Sequence, residues 1–216
     1  MSTKIPSAML MGATGLVGSA ALPLLAEQFD KVLLPGRRLP EQAPSNSEFI
    51  ATDFTDFSVF NSQVDEAPDV LCIAFGTTIK QAGSQARFQE IDYDYPLALA
   101  RWAVERGTLR VCLISAVGAN AQSKVFYNRV KGALEDALYE LPIRSLYILR
   151  PSLLLGPHAQ RPMEHISQKL FGPIAPIMPA SIRPIEAKQL AQKLVACAVK
   201  PAGEGRVILE GKSLFS

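Results

Sequence analysis

The sequence predicts an α/β protein built on one doubly wound parallel sheet with helices on both faces. Three observations carry that expectation. Apolar runs of strand length alternate with amphipathic segments of helix length as far as residue 150. Two of the runs, DVLCIAF at 69–75 and LRVCLIS at 109–115, are almost continuously apolar, as strands covered on both faces are. Three glycines, Gly12, Gly15 and Gly18, fall between the first strand and the first helix, where such a sheet turns around a ligand.

Residues 7–11 (SAMLM) form a short first strand. Residues 15–28 carry Leu16, Ala20, Leu24 and Ala26 at helical spacing. Strands come next at 31–34 and 48–51, with an exposed loop at 39–47 between them (LPEQAPSNS). A short helix is expected over 55–63, then the strand at 69–75. A long helix runs from 84 to 106 and ends near Gly107. The strand at 109–115, a helix at 123–140 and a strand at 143–149 complete the alternation, which favours right-handed βαβ units. Beyond Arg150 the pattern changes, with prolines at 151, 157, 162, 173, 176, 179 and 184. This stretch is expected to be a small proline-rich C-terminal lobe, not an independent domain. A final amphipathic helix at 186–199 and a strand at 206–210 close the chain. The whole, 1–216, is expected to be a single domain, with its core in 1–150 and lobe elements in 151–216.

Bulk composition narrows the function classes. The chain has 216 residues and is 48% apolar, which suits a globular domain with a sizeable core. With 22 basic and 20 acidic residues, it offers no electrostatic case for nucleic acid or a membrane surface. No apolar run reaches the roughly 18 residues of a membrane span. Cys72, Cys112 and Cys197 make no metal or CxxC spacing and read as buried thiols of a reducing compartment. The N-terminus runs straight into the glycine motif and leaves no room for a signal peptide, so a cytoplasmic location is expected.

The glycine stretch reads Gly12-Ala13-Thr14-Gly15-Leu16-Val17-Gly18. Gly12 allows a sharp turn, Gly15 lets a pyrophosphate approach bare backbone, and Gly18 lets helix pack closely on strand. The helix N-terminus then offers free N–H groups and a partial positive charge. A dinucleotide of the nicotinamide class is the ligand these features suit, on a Rossmann-type sheet. The second strand ends in Leu34-Pro35-Gly36-Arg37-Arg38. An NAD enzyme places an acid here for the ribose 2′-hydroxyl, whereas a guanidinium can hold a 2′-phosphate through two hydrogen bonds. Arg37 and Arg38 therefore predict NADP, with NADPH preferred over NADH. The alternative is a solvated basic turn. Asp53 and Phe54 come after the third strand and are expected at the adenine, Asp53 being otherwise a helix N-terminal acid. Phe75, Gly76, Thr77 and Thr78 end the fourth strand, where open parallel sheets bind ligands, and are expected beside the cofactor ribose.

The candidate catalytic residues come later. Ser115 ends the fifth strand, and Tyr127 and Lys131 lie four apart on one helix face. A free tyrosine, with a pKa of about 10, is a poor acid or base at neutral pH, and a neighbouring ammonium favours its phenolate. Ser115 is expected to polarise the carbonyl oxygen that Tyr127 protonates, and Lys131 to hold the nicotinamide ribose as well.

The set GATGLVG, Ser115 and Tyr127-x-x-x-Lys131, in this order, resembles the short-chain dehydrogenase/reductase superfamily. More narrowly, GATGLVG, LPGRR, AFGTT, LISAVGA, YNRVKGALE and ILRPSLLLG resemble the atypical, Tat-interacting-protein-type oxidoreductases, from about Met9 to the final helix. The resemblance implies a single Rossmann domain with a small substrate lobe and bound NADPH. It implies catalytic roles for Ser115, Tyr127 and Lys131, and places Arg150, Pro151 and Ser152 at the turn past the nicotinamide. One departure stands out. Many members carry an Asn on the helix before the fifth strand to support a proton relay, and EIDYDYPLALA offers Asp92 instead.

The function these features predict is transfer of hydride between NADPH and a small-molecule carbonyl or alcohol. Two alternatives share the residues: an NADPH-binding regulator with little catalysis, and a sugar-nucleotide epimerase. His158 and His165 lack acidic co-ligands, so no metal is expected. The apolar run LFGPIAPIMP at 170–179 reads as packing, a substrate pocket or a subunit contact. Tyr93, Tyr95 and Trp102 read as core, on a face that would otherwise serve a homodimer.

Overall fold

The structure is a computed structural model and describes residues 5–155, 184–201, 203 and 205–215. Seven parallel strands form one sheet: β1 (Ile5–Met11), β2 (Phe29–Gly36), β3 (Ser47–Ala51), β4 (Val70–Ile73), β5 (Arg110–Ile114), β6 (Ser145–Arg150) and β9 (Gly205–Glu210). Their order across the sheet is β3-β2-β1-β4-β5-β6-β9. A two-stranded parallel pair, β7 (Leu154–Leu155) with β8 (Ile185–Glu186), lies apart from it. This is the Rossmann-type α/β sheet expected from the sequence. The chain order reverses at β1, which pairs with β2 on one side and β4 on the other. Ligands of open parallel sheets sit beyond the strand ends at such a reversal.

Alternation along the strands explains why both faces are covered. Ala8 and Leu10 enter one core, and Met9 and Met11 enter the other. The first core packs the sheet against α1 (Leu16–Gln28) and α7 (Ala187–Ala198), through Leu22, Leu25, Leu190 and Leu194. The second packs it against α5 (Tyr95–Glu105) and α6 (Phe126–Tyr139), through Leu97, Trp102, Leu134 and Leu138. Each such side chain contributes about 1.5–3 kcal/mol by leaving water. Three short α-helices, α2 (Ser58–Gln63), α3 (Ile79–Ala82) and α4 (Gln85–Gln89), and a 3-10 turn at Gly211–Leu214 are also present.

The helix expected over 84–106 is present as a continuous helical stretch from Gln85 to Glu105, with one irregularity. Ser84 caps α4 by accepting the Arg87 N–H at 3.1 Å. The chain then widens into a π-helical turn, Glu90–Asp94, before narrowing again into α5. A π turn inserts one residue into a helix without breaking its axis, so apolar spacing on either side still reads as one helix. For Asp53, expected at the adenine, the alternative of a helix N-terminal acid does not hold. Asp53 closes a turn by accepting the Thr55 N–H at 3.0 Å and the Thr55 hydroxyl at 2.6 Å, while α2 starts only at Ser58. His158, His165 and the 170–179 run lie outside the described residues.

Candidate functional site

The glycine turn links β1 to α1 as expected. Gly12 has φ +94°, a left-handed conformation that disfavours any side chain, and an added Cβ would also run into the Ala74 backbone. At Gly18 an added Cβ would run into the Gly12 carbonyl, so this glycine sets the close approach of α1 to the turn. Gly15 is the residue before α1 and offers no side chain to cover the helix start. The first turn of α1 contains no acidic residue. No carboxylate of its own first turn therefore offsets its N-terminal dipole.

Two hollows flank this turn. One, of about 50 Å³, runs from Gly12, Ala13 and Thr14 past Leu34–Arg38 to Phe54 and Phe75. The other, of about 530 Å³, lies between the first half of α1 and residues 38–42, sharing Ala13, Thr14, Arg38 and Pro40 with the first. Arg37 and Arg38 are both exposed. Phe54 holds φ +69°, an unusual conformation for a bulky residue, and its ring lies 5.3 Å from Phe75 and 5.9 Å from Tyr95. Bare backbone, a helix start without acids, two exposed guanidiniums and an aromatic wall fit a phosphate-bearing nucleotide.

The end of β4 connects that hollow to the second half of the site. Asp92, from the π turn, is fully buried. Its Oδ2 accepts the Thr77 N–H at 2.8 Å, and its Oδ1 lies 2.7 Å from Lys131 Nζ. A Cβ on Gly76 would come within 2.9 Å of Asp92 Oδ1 and 3.3 Å of Lys131 Nζ. The expected ribose glycine therefore also clears space for this ion pair. Thr78 spends its hydroxyl capping α3, where it accepts the Gln81 N–H at 3.2 Å. Burial alone would lower the Lys131 pKa, but Asp92, with Tyr127 and Glu135, outweighs it and raises the value above the usual range.

Tyr127, Lys131 and Glu135 form one stripe along α6, each a helical turn from the next. Tyr127 is half-buried, with its ring 5.5 Å from Phe88. Lys131 and Glu135 are buried. Ser115 is also buried, and its hydroxyl donates to Glu135 Oε1. Glu135 pairs in turn with Arg150, whose Nη2 lies 2.5 Å from Oε2 and whose Nε donates to both carboxylate oxygens at 3.1 and 3.2 Å. Arg150 thereby turns into the protein towards Glu135. Pro151 accepts the Val117 N–H at 2.9 Å, and Ser152 comes next, half-buried.

The structure thus brings Tyr127 and Lys131 together, adds Asp92 and Glu135 to them, and ties Ser115 to Glu135. Glu135 escaped the sequence reading, although its position four residues beyond Lys131 was the available signal. Gly132 escaped it as well. A Cβ there would run into the backbone of Asn120 and Ala121, so Gly132 lets α6 lie against the loop after β5. Among the described residues, no group of acids, histidines and cysteines is arranged to hold a metal ion.

Comparison with known proteins adds ancestry to this geometry. The family model described as HIM1 matches residues 46–177. "Protein FMP52, mitochondrial" of Lodderomyces elongisporus is 35% identical over 160 residues, covering 69% of this chain and 67% of that protein. The protein of the same name from Debaryomyces hansenii is 31% identical over 206 residues, covering 92% of this chain and 90% of its own. Among solved structures, the Bordetella bronchiseptica enzyme WbmH in complex with NAD+ matches with a TM-score of 0.72 at 17% identity, covering 95% of this chain and 76% of that one. The UDP-N-acetylglucosamine 4-epimerase from Bacillus cereus matches with a TM-score of 0.69 at 14% identity, covering 95% and 78%. These structures share the fold seen here. The curated relatives are named mitochondrial, which overturns the expected cytoplasmic location. Compartment is written in short address segments read by receptors, and composition and net charge carry no such message.

Proposed function

The chain belongs to the HIM1 family, and from the geometry of its site and its sequence motifs we propose that it is an NADPH-dependent oxidoreductase of the atypical, Tat-interacting-protein type. Its substrate would be a small carbonyl compound or the corresponding alcohol. One observation carries the reading. The glycine turn, the Arg37–Arg38 hollow and the Tyr127–Lys131 pair all lie around the strand ends where the sheet order reverses. The NAD-bound enzymes that share the fold support the nicotinamide class, and the two exposed arginines favour the phosphorylated form.

The Gly12–Gly18 backbone and the start of α1 would hold the pyrophosphate, with Arg37 and Arg38 on the 2′-phosphate and Phe54 walling the adenine side. Gly76 and Thr77 would meet the nicotinamide ribose. When bound there, NADPH would supply the hydride for reduction, and NADP+ would take it up in the reverse direction. Tyr127 supplies the proton to the substrate oxygen in reduction and takes it back in oxidation. Lys131, held by Asp92, orients the ribose and places a positive charge beside the phenol. Ser115 has a single O–H, and Glu135 receives it. Its help to a substrate oxygen therefore requires exchange of that hydrogen bond.

The test is a fluorescence titration with NADPH and NADH, then cofactor oxidation with a panel of ketones and aldehydes. Wild type should turn over at least one class, and Tyr127→Phe should lose about 100-fold or more of that rate. The commitment of Ser115 to Glu135 favours a second reading, an NADPH-binding regulator. Tight NADPH binding with no turnover of any compound would establish it. NAD retained through purification would instead point to epimerase-type chemistry, as in some of the proteins that share the fold.

A further inference from the structure

We propose that Asp92 is a positioning residue whose negative charge locks Lys131 in place and ties it to the backbone of the β4 end loop at Thr77. The three groups come from three separate parts of the chain. Asp92 lies in the π turn, Lys131 on α6, and Thr77 in the loop after β4. Both carboxylate oxygens are engaged, Oδ1 at 2.7 Å from Nζ and Oδ2 at 2.8 Å from the Thr77 nitrogen. The side chains of Asp92 and Lys131 are 0% and 5% exposed, so water screens their attraction little.

The superfamily resemblance leads one to expect Asn at this position. An amide would keep the Thr77 hydrogen bond, because its oxygen still accepts, but it would carry no charge. What Asp adds over Asn is therefore electrostatic and directed at Lys131. The other ionisable groups around Lys131 act in the same direction but more weakly. Tyr127, one turn away on α6, is a phenol. Glu135, one turn the other way, is neutralised by Arg150 from β6. The β4 end loop contributes Gly76, Thr77 and Thr78, none of them charged.

Stability against pH reads the lock without any substrate. In wild type the raised Lys131 value keeps the ammonium charged, and its stabilisation stays constant until pH passes the unfolded lysine value of about 10.4. In Asp92→Asn, burial would dominate and lower the folded value below the unfolded one. The folded state would then bind fewer protons than the unfolded chain, so stability would climb as pH rises from 7 towards 10.

The experiment measures thermal unfolding from pH 6 to 10 for nucleotide-free wild type, Asp92→Asn and the double variant Asp92→Asn/Lys131→Met. Alkaline recovery relative to wild type in Asp92→Asn, abolished in the double variant, is the expected result. A single variant that folds only when Lys131 is also replaced would support the lock equally. A single variant with the wild-type pH dependence, or a double variant that does not fold at any pH, would overturn it. The effect on cofactor rests on the nucleotide reading: Asp92→Asn should weaken NADPH binding by about tenfold at pH 7 in a fluorescence titration. Unchanged NADPH affinity would overturn the link from the Asp92–Lys131 lock to the nucleotide. Wild-type protein that binds no NADPH yet shows the pH signature in its variants would overturn the nucleotide reading and leave the lock standing.

Discussion

Asp92 and Glu135 divide the buried charge of the site between them, one against Lys131 and the other against Arg150. Truncating one partner of such a pair is costly because the other is stranded away from water. Glu135→Gln should lower stability by about 1–3 kcal/mol, read by urea unfolding, with Arg150 left only its longer contact to Glu210 at 3.4 Å. Arg37 and Arg38 present the opposite case, exposed and cheap to remove. Replacing both with alanine should leave stability within about 0.5 kcal/mol of wild type. It should weaken NADPH binding at least tenfold more than NADH binding in parallel titrations, each lost phosphate contact being worth about 1.5–3 kcal/mol. Equal losses would mean that neither guanidinium reads the 2′-phosphate. At this scale the sequence made Tyr127 and Lys131 legible, because helical spacing alone puts them on one face. Whether the Ser115 hydroxyl faces a substrate or a carboxylate depends on a residue twenty positions on, Glu135, and on the packing of α6 against β5. Local pattern carries no trace of that packing.

The elements show the same division between local and tertiary causes. β4 and β5 were plain in the sequence because both faces of each are buried, leaving continuous apolar runs. The π turn at Glu90–Asp94 was not, since its widened geometry is stabilised by what Asp92 reaches across the fold. α3 is a single turn of helix, too short to carry a periodicity. Gly132 explains how α6 can lie so close to the loop at Asn120–Ala121. Gly132→Ala has a favourable propensity, worth about 0.8–1 kcal/mol in an open helix. Here the added methyl meets backbone, so the variant should instead be destabilised by about 1–3 kcal/mol in chemical denaturation. A stabilised variant would show that α6 and the loop can move apart freely.

For the whole molecule, covering both faces of the sheet removes its thiols from solvent. Cys72 and Cys112 are register partners on β4 and β5, and all three cysteines are buried. Burial, then the neighbouring Cys72, pushes the Cys112 thiol well above its ordinary value, and burial raises Cys197 as well. The folded chain keeps these protons after the unfolded chain has released them. Their contribution to stability is therefore complete below the unfolded thiol value of about 8.5 and is lost as pH rises beyond it. Unfolding temperature should fall between pH 8 and 10, and a thiol reagent should label the three cysteines only after denaturation. Labelling of the native protein at a rate independent of denaturant would contradict the packing described here. The extra residue at Glu90–Asp94 also gives chain length a chemical meaning. Deleting one residue there would let the segment relax into regular helix and rotate α4 by about 100° relative to α5. Phe88 could no longer face Tyr127 while Asp92 reached Lys131, so a homologue shortened by a single codon at this place would be expected to have a dismantled centre despite keeping every motif.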